Sequence, residues 1–224
     1  MLRPALKPFQ EKNIAQEKKQ SILRSINVEV SRDEAEKVYD DYIEEALVIK
    51  GGEVLEGEVA FDVELAKEID KAPDKRHAPL YVANKDGETY FIIPMRGKGL
   101  WGPIWGYISL ESDVNTVYGA IFDHKSETPG LGAEIATPVF MDQFQGKKIL
   151  NEAGKFVSIQ VRKGNAAGDY EVDGISGGTI TSDGVQAMID DSVGPYISFL
   201  KAYPKNTTTA LWVTPNTNEI ATIE

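Results

Sequence analysis

Helix-like and strand-like segments are segregated along this chain, and this order restricts the folds that are open to it. Strong helix formers fill residues 4–26, and a capping box at Ser31 and Glu34 opens a second amphipathic helix over residues 31–47. Strand-like runs follow, and Asp86-Gly87 separates two of them in the manner of a tight hairpin turn. Grouped helices and hairpin-paired strands favour a mostly antiparallel sheet with flanking helices, so we predict an α+β fold.

The other predicted elements come from apolar runs that are bounded by Gly, Asp and Asn. We predict a hairpin within residues 77–95, further strands at 104–110, 115–123, 156–162 and 210–213, and a short helix at 138–148. A last amphipathic helix is predicted from apolar residues at helical spacing, namely Val185, Met188, Ile189, Val193, Tyr196, Ile197 and Leu200. We divide the chain into an N-terminal helical region, residues 1–50, and a domain of residues 51–224.

Composition excludes several classes of function. The net charge is −11 and the sequence pI is about 4.8, with no basic cluster of the kind that binds nucleic acid. The chain contains no cysteine, which excludes disulfides, thiolate catalysis and a cysteine-ligated iron–sulfur cluster. The two histidines, His77 and His124, lack metal-ligand spacing, so we predict no metal site, and we name no catalytic residue.

A glycine-rich turn precedes the last predicted helix. It runs from Asp173 to Thr179 and is followed by Ile180-Thr181-Ser182-Asp183, where Thr181 or Ser182 can cap the helix. Free backbone N–H groups and the positive end of the helix dipole attract anions at such a place. The sequence therefore predicts that a phosphate-bearing group is held near Thr179 or joined to it.

A second glycine-rich segment lies between two predicted strands. Residues 126–134 contain Pro129, Gly130 and Gly132, which favour a rigid loop that other groups can approach closely. A β-branched and aromatic run, residues 117–124, leads into this loop. We therefore expect the loop to lie at the end of a strand.

The two segments together resemble the covalent FMN-binding domain family. The motifs are Glu-Thr-Pro-Gly-Leu-Gly at residues 127–132 and Asp-x-x-Ser-Gly-x-Thr at residues 173–179. Within that family, residues 99–107 and 6–13 are similar to the C subunit of sodium-translocating NADH:quinone reductases. The order of the motifs along one chain makes the resemblance specific, and it covers nearly the whole chain.

The resemblance implies that a flavin transferase joins FMN through a phosphoester to the last threonine of the second motif, which is Thr179. Trp101 and Trp105 are both candidates to stack on the flavin ring, or else core residues, and the glycines that flank Trp101 favour it for the site. The family usually has alanine where this chain has Gly178. The other flavin-binding residues that the resemblance implies are Ser176, Gly177, Gly178, Thr181, Glu127, Thr128, Leu131 and Gly132.

The implied function is electron transfer within a membrane complex. The resemblance implies a one-electron carrier that works with the other membrane subunits of a sodium-translocating NADH:quinone reductase and has little activity alone. No apolar run in the chain is long enough to span a bilayer. Because the resembled subunit has an N-terminal membrane helix, we expect such a helix before Met1 in the full-length protein, with the flavin domain on the outer face of the cell membrane.

Three alternatives stay open at this point. The chain can be the flavin subunit of the related ferredoxin:NAD oxidoreductase complex, which carries the same motif. It can also be a soluble exported flavin carrier that serves other electron-transfer systems. The third alternative is an exported binding module that holds a small anion or sugar without redox chemistry. Absorbance of the purified protein separates the flavin proteins from the binding module, because oxidised flavin is yellow.

Overall fold

The computed structural model describes residues 3–204 of the 224, with side chains from residue 10 onward. The predicted strand at 210–213 lies outside the described residues. The α-helices are α1 (Arg3–Ser25), α2 (Ala35–Tyr42), α3 (Leu65–Glu68), α4 (Pro138–Met141), α5 (Thr179–Val193) and α6 (Ile197–Ala202). Single 3₁₀ turns occupy Ala60–Asp62, Pro73–Lys75, Gly132–Ala136, Asp142–Phe144 and Gly194–Tyr196.

The strands form one six-stranded antiparallel sheet in the order β2-β1-β3-β4-β5-β6. Its members are β1 (Ile43–Lys50), β2 (Glu53–Val54), β3 (Ala78–Lys85), β4 (Glu88–Lys98), β5 (Pro103–Glu111) and β6 (Val117–His124). A separate parallel pair consists of β7 (Gln160–Arg162) and β8 (Glu171–Asp173). The predicted α+β class is confirmed.

The predicted hairpin forms between β3 and β4. Asp86 and Gly87 both have positive φ, 57° and 85°, which is the geometry of a tight turn that matches the twist of the two strands. The predicted helix at 138–148 is shorter than expected, because α4 and the 3₁₀ turn after it end at Phe144. Gly146 then turns the chain away with φ 76°.

The prediction for the second helix is wrong at both ends, because α2 begins at Ala35 with Glu34 rather than Ser31 at the N-cap, and it ends at Tyr42. Residues 43–50 form β1, which pairs with β3 through partners such as Ala46 and Tyr81. Apolar residues here fit helical spacing as well as a strand, and pairing with the neighbouring strand decided between the two. Because β1 belongs to the same sheet as β3–β6, the sheet extends across the predicted boundary at residue 50, and the division into two regions stays a prediction.

The sheet separates two hydrophobic cores. Alternate residues of β4 point to opposite faces, so that Ile93 and Met95 pack towards α5 while Ile92 packs towards α1. The α5 side includes the whole predicted apolar stripe from Val185 to Leu200, and every member of it is buried. The predicted last helix is thus confirmed as three consecutive helical segments, α5, the turn Gly194–Tyr196 and α6.

The C-terminal end of α1 is fixed to the sheet. Asn27, with φ 56°, follows the helix, and backbone bonds from Val28 N to Leu23 O and from Asn27 N to Arg24 O close a Schellman motif. The Ser109 hydroxyl donates to Ser25 O at 2.5 Å. By contrast, residues 10–14 of the same helix are exposed. The thin apolar stripe within residues 11–19 predicts a projecting or loosely packed arm over residues 1 to about 20, whereas the continuously exposed part of α1 ends near residue 14 among the described side chains.

Helix α5 lies directly on the end of β4. A Cβ atom at Gly97 would lie 2.7 Å from Met188 Cβ, and one at Gly184 would collide with Lys98 O. Two glycines therefore let the helix backbone and the strand approach more closely than side chains permit. This contact brings the first turn of α5 beside the turn that connects β4 to β5.

Candidate functional site

The turn before α5 has a defined geometry. Gly178 N donates to Ile175 O at 2.9 Å, and Gly177 has φ 75°, as the third residue of a type II turn requires. The Ser182 hydroxyl accepts from Ile175 N at 2.9 Å. The carboxylate of Asp173, the first residue of the motif, lies away from this turn and accepts from Ala166 N at 2.7 Å.

The N-cap of helix α5 lies three or four residues earlier than the sequence indicated. The first residue of the helix is Thr179, and Gly178 occupies the N-cap without a side-chain hydrogen bond. The prediction that Thr181 or Ser182 caps the helix is therefore wrong, since both lie inside the first turn and are buried. Their hydroxyls bond to other segments of the chain.

Thr179 lies half-buried at the positive end of α5, a helix of 15 residues. The backbone N–H groups of Thr179, Ile180 and Thr181 donate no hydrogen bond to any residue between 3 and 204. The first bond of the helix runs from Ser182 N to Gly178 O at 2.9 Å. Three unpaired N–H groups next to a hydroxyl fit a phosphate that is held at, or attached to, the helix terminus.

A buried carboxylate lies behind this turn. Glu127 is 5% exposed, and its Oε2 accepts from the hydroxyl of Thr181, which is 1% exposed, at 2.6 Å. The other oxygen, Oε1, accepts from Trp101 N at 2.8 Å. The backbone N–H of Glu127 donates to Nδ1 of His124 at 3.2 Å. The carboxylate thus joins the β4–β5 turn, the 126–131 loop and the first turn of α5.

Two glycines make room for the carboxylate. A Cβ atom at Gly99 would lie 2.6 Å from Glu127 Oε1. One at Gly132 would lie 2.5 Å from both Glu127 Oε2 and Thr181 Oγ1. The close approach that the sequence predicts for Gly132 is therefore an approach to this hydrogen-bonded pair.

Exposed apolar side chains surround the turn. Trp101 is 65% exposed, Ile180 is 57% exposed and Leu131 is 42% exposed. All three lie in the segments that the Glu127 carboxylate connects. A Cβ atom at Gly177 would lie 2.7 Å from Leu131 Cδ2, so the loop touches the glycine-rich turn. Trp105 lies on β5, one position from Ile104 and Gly106, and points to the opposite face of the sheet from Ile104.

The structure brings most of the sequence-predicted residues together. The residues that belong to the three joined segments or directly adjoin them are Trp101, Glu127, Leu131, Gly132, Ser176, Gly177, Gly178, Thr179 and Thr181. Thr128 lies in the same loop, where its carbonyl oxygen accepts from Leu131 N and Ala133 N at 3.1 Å while the side chain is exposed.

Sequence reasoning missed Gly99, His124 and Ile180. Ile180 was detectable, because it is an apolar residue that departs from the helical spacing of the buried stripe. No group of acidic or histidine side chains in the described part of the chain could hold a metal ion. None of its helices is both long and apolar enough to cross a bilayer.

Comparisons with known proteins place the chain in a family. The model of the family described as FMN-binding domain matches residues 99–194, which contain all three joined segments. The C subunit of the Na(+)-translocating NADH-quinone reductase from Vibrio alginolyticus is 34% identical over 208 residues, which cover 84% of this chain and 81% of that protein. Its counterpart from Haemophilus ducreyi is 32% identical over 220 residues, which cover 88% and 85%.

Two crystal structures share the fold. That of the C subunit of the Na(+)-translocating NADH-quinone reductase from Parabacteroides distasonis is 48% identical, has a TM-score of 0.81, and covers 89% of this chain and 98% of its own. The NqrC structure from Shewanella oneidensis is 26% identical with a TM-score of 0.72, and covers 84% and 98%.

The fold and the site define an FMN-binding domain, as the resemblance in the sequence implied. The chain belongs to the family formed by the C subunits of Na(+)-translocating NADH-quinone reductases.

The residues that are present fit FMN. The unpaired N–H groups at the start of α5 suit its phosphate, and the exposed side chains of Trp101, Leu131 and Ile180 suit the apolar ring. Gly177 keeps the turn open between these two regions.

Proposed function

We propose that this protein carries FMN as a phosphoester on Thr179 and transfers electrons within a Na⁺-translocating NADH:quinone reductase. The observation that carries the proposal is the half-buried hydroxyl of Thr179 at the N-terminus of α5, beside N–H groups that have no acceptor in residues 3–204. A phosphodiester retains one negative charge, which the helix terminus stabilises.

Attachment requires an activated flavin. Joining a free phosphate to a hydroxyl with loss of water is unfavourable in water, so the donor must hold FMN in a phosphoric anhydride, as a flavin dinucleotide does. The Thr179 oxygen attacks the flavin-side phosphorus, the P–O–P bond breaks and a nucleoside monophosphate leaves. The hydroxyl proton passes to a base on the flavin transferase, because the described residues hold no bond to Thr179 Oγ1.

The neighbouring residues have separate roles in this proposal. Gly177 and Gly178 let the phosphate approach the backbone, and the exposed Ser176 hydroxyl donates to a phosphate oxygen. Trp101 and Leu131 cover the flavin ring, and the Thr128 hydroxyl bonds its polar edge or ribityl chain. Glu127, Thr181 and Gly132 shape the site from behind.

The flavin supplies the redox chemistry, while the chain attaches and orients it. The other membrane subunits deliver and receive the electrons, so the isolated protein has little activity. In the full-length protein an N-terminal helix anchors the flavin domain on the outer face of the cell membrane, and the first part of the helical region 1–50 serves as the connection. An exposed N-terminal stretch of α1 at residues 10–14 supports a connecting role.

Intact mass and in-gel fluorescence after co-expression with a flavin transferase test the proposal. The wild-type chain should gain one FMN phosphoester and fluoresce after denaturation. Thr179→Ser should retain the label and Thr179→Ala should lose it. Protein that binds no flavin in any form would support the binding-module alternative, and persistent label in Thr179→Ala would overturn the assignment of Thr179.

A further inference from the structure

Residues 179–181 contain two threonine hydroxyls, which differ in their exposure to solvent. Thr179 is half-buried at the edge of the site, whereas Thr181 is 1% exposed. Residues two positions apart on an α-helix are rotated by about 200°, so the two side chains point to nearly opposite sides. An approaching flavin donor therefore meets the first hydroxyl and not the second.

The hydroxyl of Thr181 is already engaged. It donates its proton to Glu127 Oε2 at 2.6 Å, and the carboxylate is held from the other side by Trp101 N at 2.8 Å. A donor phosphate that approached Thr181 would meet a buried negative charge at close range, and like charges repel strongly where water is excluded. Burial and charge thus both protect Thr181 from modification.

The same carboxylate fixes the position of Thr179. Hydrogen bonds to a carboxylate are stronger than those between neutral groups, and these two connect the first turn of α5 to the β4–β5 turn. Gly99 and Gly132 leave no space for a side chain around the carboxylate, so its position is sterically defined. Movement of Glu127 would move the turn that carries Thr179.

We propose that Glu127 is a positioning residue that presents Thr179 to the flavin donor and withholds Thr181 from it. This inference rests on the proposed attachment of FMN to Thr179. Glu127→Gln would test this role of Glu127 with little change in the shape of the side chain. The single amide oxygen would accept from Trp101 N, and the NH₂ group would then face Thr181, whose hydroxyl proton would lose its acceptor.

The experiment follows flavin incorporation with time, using the purified full chain without flavin, a purified flavin transferase and a flavin dinucleotide. Glu127→Gln and Thr181→Val should each slow labelling at least about tenfold, because each removes a charged hydrogen bond that orients the acceptor. The double variant should be no slower than either single variant, since both changes break the same bond. Thr181→Ser, which keeps the hydroxyl, should restore labelling.

Glu134→Gln is the matched control. Glu134 lies seven residues after Glu127, and its carboxylate accepts from Gly130 N at 2.9 Å and makes no bond to α5. Labelling of this variant should therefore proceed at the wild-type rate. Thermal unfolding of each variant checks that the fold is retained.

The outcomes separate the two proposals. Labelling of both single variants at the wild-type rate, or independent effects in the double variant, would each overturn the role of Glu127 and leave the attachment of FMN to Thr179 intact. Flavin mapped to Thr181 in the wild-type protein would overturn both the role of Glu127 and the assignment of Thr179. A wild-type protein that accepts no flavin would overturn both proposals.

Discussion

The hydroxyl of Thr181 donates to the carboxylate of Glu127 across 54 positions of the chain, with 2.6 Å between the two oxygens. This bond joins the first motif, in the 126–131 loop, to the turn of α5 that directly follows the second motif. Because both residues are buried, the bond is shielded from water, and a change to either partner leaves a polar group unsatisfied.

Gly132→Ala should disturb this pair. The new methyl group would lie 2.5 Å from both bonded oxygens, and such overpacking typically costs about 1–3 kcal/mol of unfolding free energy. Flavin labelling should fall together with stability. Gly130→Ala is the control, because its φ of 75° costs about 1–2 kcal/mol while nothing lies within 4 Å of the new atom. Equal labelling of the two variants at matched stability would contradict the prediction.

Gly178→Ala, which introduces the residue that the family usually has, should be tolerated. Gly178 has φ −108°, which alanine adopts freely, but the new methyl group would lie 3.0 Å from Ile175 Cβ and 3.2 Å from Gly132 N. Reduced freedom of the unfolded chain offsets this crowding, so chemical denaturation should show a change within about 1 kcal/mol. Gly177→Ala should lower the unfolding free energy more than Gly178→Ala does, because position 177 has φ 75°. The reverse order, measured by stability and labelling, would reject this view of the turn.

Trp101→Ala should alter the flavin and not the fold. Because Trp101 is 65% exposed, its loss should change the unfolding free energy by no more than about 0.5 kcal/mol. If the indole covers the flavin ring, the fluorescence and reduction potential of the labelled protein should shift. Trp105→Ala should leave the flavin unchanged and lower the unfolding free energy by about 1–3 kcal/mol, since Trp105 is half-buried on the other face of the sheet. An unchanged flavin in Trp101→Ala would remove Trp101 from the site.

Glu111→Gln should stabilise the protein at neutral pH. Burial, with help from Asp113 and Glu88, raises the pKa of Glu111 above its ordinary value of 4.5. A raised pKa favours the protonated form in the folded state, so the stability that this group contributes is present below pH 4.5 and is lost as the pH rises through the folded-state pKa. The gain at pH 7 should be about 0.5 kcal/mol or less because solvent screens the group, and it should vanish near pH 4.

Denaturation of Glu111→Gln and wild type at both pH values measures this difference. Glu56→Gln, at an exposed position, is the control and should change stability at neither pH. A gain that is equal at pH 4 and pH 7 would show that charge is not its cause.

Short sequence patterns predicted much of the fold. Asp86-Gly87 predicted the β3–β4 hairpin because few residue pairs adopt two positive φ angles, and the spacing from Val185 to Leu200 predicted a helix because its buried face repeats every three to four residues. Residues 43–47 were misassigned to a helix because their apolar residues fit both periodicities. Only pairing with β3, about 35 residues away in sequence, makes them a strand.

The site was predictable in its parts but not in its connections. The motifs indicated Thr179 and the loop, and chain order could not reveal that Glu127 bonds to Thr181 rather than to a ligand. The N-cap of α5 was placed three or four residues late because hydroxyl residues are the usual N-caps, whereas the hydroxyls of Thr181 and Ser182 are used in longer-range bonds.

The space around the carboxylate also limits how this protein can diverge. Gly99, Glu127, Gly132 and Thr181 occupy one small volume, so a lineage cannot replace either glycine with a larger residue while it retains the glutamate. We therefore expect the four positions to vary as a set, with any relative that has a bulkier residue at 99 or 132 also lacking the acid at 127. Substitutions at these four positions should therefore occur together in relatives, and the residue at one position should indicate which residues stand at the other three.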